Sequence, residues 1–141
     1  MTLIALAAVP LVAGLLLAVA RTRLTVLTVQ GSSMSPSLLD GDRVLLLRSR
    51  RLPRRGAIVA VRTTGLSGDR PADLAAELPD LMVKRLVAVA GDPCPPNRAG
   101  SAERVPAGRV FLRGDNRRSL DSRTWGTIPQ ERVIGRVMRK L

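Results

Sequence analysis

The chain begins with an uncharged, overwhelmingly apolar run, LIALAAVPLVAGLLLAVA at 3–20, and nothing after it resembles that run. As a helix it would be about 27 Å long at 1.5 Å per residue, close to the hydrocarbon thickness of a bilayer. It reads as one transmembrane anchor, with Pro10 and Gly14 tolerated in lipid. A cleaved leader is the competing reading, because Ala18-Val19-Ala20 has the small-x-small form of a cleavage site. No basic residue precedes the run and Arg21 and Arg23 follow it. Taken alone, that asymmetry would keep the remainder of the chain in the cytoplasm.

From residue 24 the pattern changes to short runs rich in Val and Leu: 24–30, 42–48, 56–62, 81–90, 108–114 and 132–138. Gly, Pro and Asp separate them, as expected for strands joined by turns. This predicts a mainly β domain over 24–141, a small antiparallel sheet or partly closed barrel, behind an anchor at 1–23. The stretch 63–80 is a polar, acidic insertion with a short helix predicted at 72–78, and 92–108 reads as loop. Aromatic residues are nearly absent, so the core must be aliphatic.

The charge balance is lopsided. Of 23 basic residues all but Lys84 and Lys140 are Arg, His is absent, and the net charge is +12. Such a surface attracts polyanions, either nucleic acid or anionic lipid. Missing aromatic stacking platforms and any recognisable reading motif argue against nucleic acid. The single cysteine, Cys94, offers no disulfide and no metal-ligand spacing, so neither a metal nor another cofactor is expected.

Without His, a Ser-His-Asp triad is impossible, and a nucleophilic serine would need a carboxylate or a lysine as its base. Arg stays protonated, whereas a Lys moved out of water can lose its proton. Lys84 lies within LMVKRLVAVAG, where Met82, Leu86 and Ala88 would share its face of a strand. The blander reading is a lysine on an edge strand that reaches back to water. GSSMSPSL at 31–38 contributes serines in an ordered turn, which by themselves would be expected to make local hydrogen bonds. FLRGDNRRSLDSRTWG at 111–126 would by itself pass for a charged surface turn.

In combination these segments carry more. Ser-Met-x-Pro, then Lys-Arg in a strand, then Gly-Asp-Asn followed by Ser-x-Asp-Ser-Arg resembles the type I signal peptidases, membrane-anchored serine/lysine proteases, from about Val29 to Val137. The resemblance implies a β-rich catalytic core with Ser33 as nucleophile and Lys84 as general base. It implies that Arg85 pairs with Asp115, that Ser119 orients the lysine amine, that Asp121 and Arg123 buttress the site, and that Met34 helps line the substrate pockets. The implied substrates are signal-peptide-bearing preproteins cut after small-x-small sites, with the catalytic domain on the extracytoplasmic side of a single-pass anchor, against the charge asymmetry above. Anionic lipid is the expected partner of the basic surface.

Some departures bear on this. Between Arg117 and Ser119 the chain is one residue shorter than the usual family spacing, and Gly31 stands where some members carry a further serine. The interval between Lys84 and Asp115 is too short for the large extra domain of some members, which implies a minimal catalytic core. A dedicated maturation protease for one precursor, or a non-catalytic anchored basic binding module, remain as alternatives.

Overall fold

A computed structural model describes residues 2–63, 79–100 and 102–141, without the side chains of residues 2–8 and 20. Most of the 63–80 insertion, including the helix expected at 72–78, lies outside the described residues.

Helix α1, Thr2–Arg23, opens the chain and carries Arg21 and Arg23 in its last turn, where cations complement the helix dipole. Its described side chains from Val9 to Val19 are exposed. They cover about 16 Å at 1.5 Å per residue, and no helix among the described residues is long and apolar enough to cross a membrane.

Strand β1, Leu24–Thr28, begins at once, and is followed by β2 (Arg43–Arg48), β3 (Ile58–Arg62), β4 (Leu81–Val89), β5 (Arg109–Arg113), β6 (Ile128–Pro129) and β7 (Val133–Lys140). All pairings are antiparallel, in the order β1-β2-β7-β3-β4-β5-β6. The expected mainly β architecture is present, but as an open sheet with β1 and β6 at its edges instead of a partly closed barrel. Strand β7 enters between β2 and β3. That insertion requires Gly135, because a methyl group there would run into the Leu47 carbonyl and Arg48.

The strands form where the Val and Leu runs stand because their alternate residues can be buried. In β2, Val44 and Leu46 are buried while Leu45 and Leu47 are half-exposed. In β4 the alternation is complete: Met82, Lys84, Leu86 and Ala88 point inward. Val59, Val61, Leu86, Val110, Leu112, Ile128 and Val133 pack into one aliphatic cluster, each worth about 1.5–3 kcal/mol of burial. Phe111, the chain's only phenylalanine, joins Ala88 and Val105 in a second cluster beneath the 92–108 loop. Register shifts on β2–β7, β3–β7 and β4–β5 are β-bulges, which bend strands and increase local twist.

Candidate active site

The two halves of β4 have different neighbours. Leu81–Arg85 pair with Arg62–Ile58 of β3, but β5 pairs with β4 only from Arg85 onward. One edge of Leu81–Lys84 is therefore without a strand partner among the described residues. The outer edge of β1 is likewise unpaired. Between these edges lies a cavity of about 630 Å³, lined on one side by Leu27–Ser33 and on the other by Pro79–Lys84, with Asn116, Arg118, Ser119 and Leu120 completing it.

Lys84 is only 3% exposed. Its cross-strand neighbour is Val59, and its Nζ donates to Ser119 Oγ at 2.7 Å. The shortened 117–119 spacing thus does not keep Ser119 from the amine. Gly114 makes this possible, since a side chain there would collide with the Ser119 side chain and the Ser33 carbonyl.

Ser33 lies in the turn between β1 and β2 and is half-buried at the cavity wall. Its carbonyl accepts the Asn116 N–H at 3.0 Å, and the Asn116 side-chain amide donates to the Ser32 carbonyl at 3.1 Å. These bonds dock the serine turn onto the Gly-Asp-Asn segment. The Ser33 N–H donates to no acceptor among the described residues. At the far end of the turn, the Asp42 carboxylate accepts the Leu39 N–H at 2.8 Å.

Two carboxylates stiffen the Gly-Asp-Asn segment. Asp115 receives both Arg85 Nε (2.7 Å) and Arg85 Nη2 (2.6 Å), and the Ser37 hydroxyl also donates to it. The Arg85 guanidinium holds the Asp115 carboxyl below the usual carboxylate range, against a smaller opposing effect of burial. The same bonds raise Arg85, which also donates to the Gly56 carbonyl at 2.7 Å. Asp121 is fully buried. Burial alone would push its pKa up, but bonds from the Arg123 guanidinium and from the Gly114 and Arg123 N–H groups together bring it below the ordinary value. Arg123 then reaches on to the Asn116 carbonyl at 3.0 Å. Asp121 also caps the short helix Ser122–Trp125.

Seven of the eight residues singled out from the sequence either line this cavity or form these two ion pairs, and Ser119 is bonded to Lys84. Met34 is placed differently. It is fully buried with Val29, Leu38 and Val44, so its side chain belongs to the core and has no surface to offer a substrate. The apolar part of the cavity wall comes instead from residues such as Leu27, Leu81, Val83 and Leu120. Sequence reasoning gave no role to Asn116, Ser37 or Ser122, whose buried hydroxyl accepts the Leu112 N–H at 3.0 Å. Asn116 and Ser122 stood in motifs already in view and Ser37 in the quoted serine turn, but nothing in the sequence singled out these side chains within them.

The model of the signal peptidase family, peptidase S26, matches residues 2–100 and 94–141. The chain belongs to this family. It is 31% identical over 135 residues to a probable signal peptidase I-1 of Synechocystis sp.. It is 30% identical over 133 residues to a probable signal peptidase I-2 of the same organism, and 26% identical over 150 residues to signal peptidase IB of Staphylococcus aureus. These alignments use 77–78% of this chain and span 67%, 58% and 73% of the respective relatives. Family membership places the chain among the hydrolases.

Proposed function

We propose that this member of the signal peptidase family is a membrane-tethered endopeptidase that removes signal peptides from exported preproteins, with Ser33 as nucleophile and Lys84 as base. The observation that carries the reading is the shared cavity: a serine turn and a buried lysine face the same space between two unpaired strand edges. In the uncharged form, Lys84 accepts the Ser33 proton as the hydroxyl oxygen attacks the scissile carbonyl. A tetrahedral intermediate forms, and the protonated amine gives its proton to the departing amine of the mature chain. Water then enters, again deprotonated by Lys84, and releases the signal peptide from Ser33.

The supporting residues act through position. Ser119 fixes the amine with one hydrogen bond. The uncommitted Ser33 N–H suits an oxyanion donor. Arg85–Asp115 and Asp121–Arg123 keep the Gly-Asp-Asn segment against the serine turn. An extended substrate would add a strand between the free edges of β1 and β4, with small side chains before the cut entering the shallow apolar wall. In this reading α1 is the anchor, supported by Val9, Leu11, Val12, Leu15, Leu16, Leu17 and Val19, all exposed around the helix. It tethers the catalytic domain on the extracytoplasmic side, where cleavage sites of inserted preproteins emerge.

The test is incubation of detergent-solubilised protein with a preprotein carrying an Ala-x-Ala site, comparing wild type, Ser33→Ala and Lys84→Ala. Mature product from the wild type alone is expected. Equal product from all three rejects the assignment.

A further inference from the structure

The sheet gathers four arginines at one end, away from the cavity just described. Leu24 pairs with Leu47, so Arg23 at the end of α1 stands beside Arg48 at the end of β2. Val61 pairs with Val133, which sets Arg62, at the end of β3, next to the start of β7. The Ser49 N–H bonds the Ile134 carbonyl at 3.1 Å and pins the turn that presents Arg50. Arg23, Arg48, Arg50 and Arg62 thus reach one cleft of about 610 Å³ from three chain segments, and among the described residues Glu131 is the single acid lining it. All four arginines are exposed. Among the described residues none of them has an ion-pair partner.

Four guanidinium groups around one space repel each other, and an anion held among them relieves that repulsion. Their planar forks match phosphate oxygens in bidentate geometry. The cleft has room for more than a bare phosphate. It also adjoins the last residue of α1, the helix whose apolar side chains are exposed. We infer that this cleft binds the phosphodiester headgroup of an anionic phospholipid and so fixes the catalytic domain's tilt on the bilayer. The inference rests on the reading of α1 as an anchor, because that places the cleft at headgroup depth.

The test uses the full chain in neutral detergent micelles. Short-chain phosphatidylglycerol, short-chain phosphatidylcholine and inorganic phosphate are titrated separately, with binding followed by calorimetry. Saturable binding of phosphatidylglycerol is expected, weakened about thirtyfold in Arg48→Gln/Arg62→Gln and unchanged in the charge-matched control Arg54→Gln/Arg139→Gln. An equal loss in both double variants would show diffuse surface charge and overturn the site. Inorganic phosphate binding as tightly as the lipid would overturn the lipid assignment. Preprotein cleavage in micelles free of anionic lipid should be the same for wild type and both double variants. Failure of the anchor reading shows separately, as a chain that does not float with vesicles of pure phosphatidylcholine.

Discussion

The two halves of β4 obey the same period-two burial but meet different surroundings. Arg85–Val89 is hydrogen-bonded on its β5 side, and Leu86 is fully buried in the largest aliphatic cluster. Leu81–Lys84 keeps one edge without a strand partner among the described residues, and its inward residue nearest the junction is an amine at 3% exposure. The half that pairs with β5 and turns an aliphatic face inward is part of the scaffold. In the proposed function, the half with one edge left open and an amine on that face is the part that receives a peptide and acts on it. The difference arises from where β5 stops pairing, at Arg85–Arg113, and not from any change in strand propensity.

The strongest way to break this contrast is to exchange the expected phenotypes. Lys84→Met should lower kcat/KM for preprotein cleavage by roughly 10³-fold or more while leaving stability unchanged or raised, because an aliphatic chain of similar volume replaces a buried amine. Leu86→Ala, two residues along the same face, should cost about 2–5 kcal/mol of stability with near-normal kcat/KM in the protein that remains folded. Chemical denaturation and initial-rate kinetics on both variants check the pair. If Lys84→Met unfolds the protein or Leu86→Ala abolishes turnover in the folded state, the division of β4 is wrong.

A smaller effect sharpens the catalytic half. Ser119→Ala removes a hydrogen-bond partner of the Lys84 amine and should lower kcat by roughly 10- to 100-fold with little change in KM. A parallel rise in KM would mean that Ser119 binds substrate instead. For the open edges, a substrate peptide N-methylated at successive positions should show a rise in KM of about tenfold at each of them, because a strand held between two neighbours gives its N–H groups alternately to one and the other. An alternating effect would mean pairing with only one of the two strands, and no effect would contradict strand addition altogether.

The smallest expected effect concerns acid. Asp115 and Asp121 both have carboxyl groups held below the ordinary range by their arginines and other donors. A carboxylate with a depressed folded pKa contributes stability above its unfolded value, near 4, and loses it as pH falls through the lower folded value. The melting temperature should therefore drop on acidification below about pH 4. Asp121→Asn, destabilised at neutral pH, should show a shallower drop. An identical slope in wild type and variant would remove Asp121 from this account.

Much of the scaffold was legible because Val and Leu runs bounded by Gly, Pro and Asp leave few other structures open. Six strands appear within a few residues of their expected positions. The two-residue β6 was too short to leave a periodic trace, and the open sheet could not be told from a partly closed barrel because strand order depends on long-range pairing. β7 is last in sequence yet third in the sheet. The residues around Lys84 were legible through their types and motif spacing. Met34 was not, since a methionine beside a reactive turn reads equally as pocket wall or core, and only packing against Val29 and Val44 decides between them. The shortened 117–119 spacing counted residues where the deciding feature was the missing side chain at Gly114.

With only two lysines in the chain, lysine labelled with ¹³C at Cε gives a two-line spectrum in which Lys140→Arg assigns the remaining signal to Lys84. Following that signal against pH alongside kcat/KM for preprotein cleavage tests the base directly. The account predicts that activity climbs in step with deprotonation of Lys84. Activity that climbs while the Lys84 signal stays that of a protonated amine would contradict it.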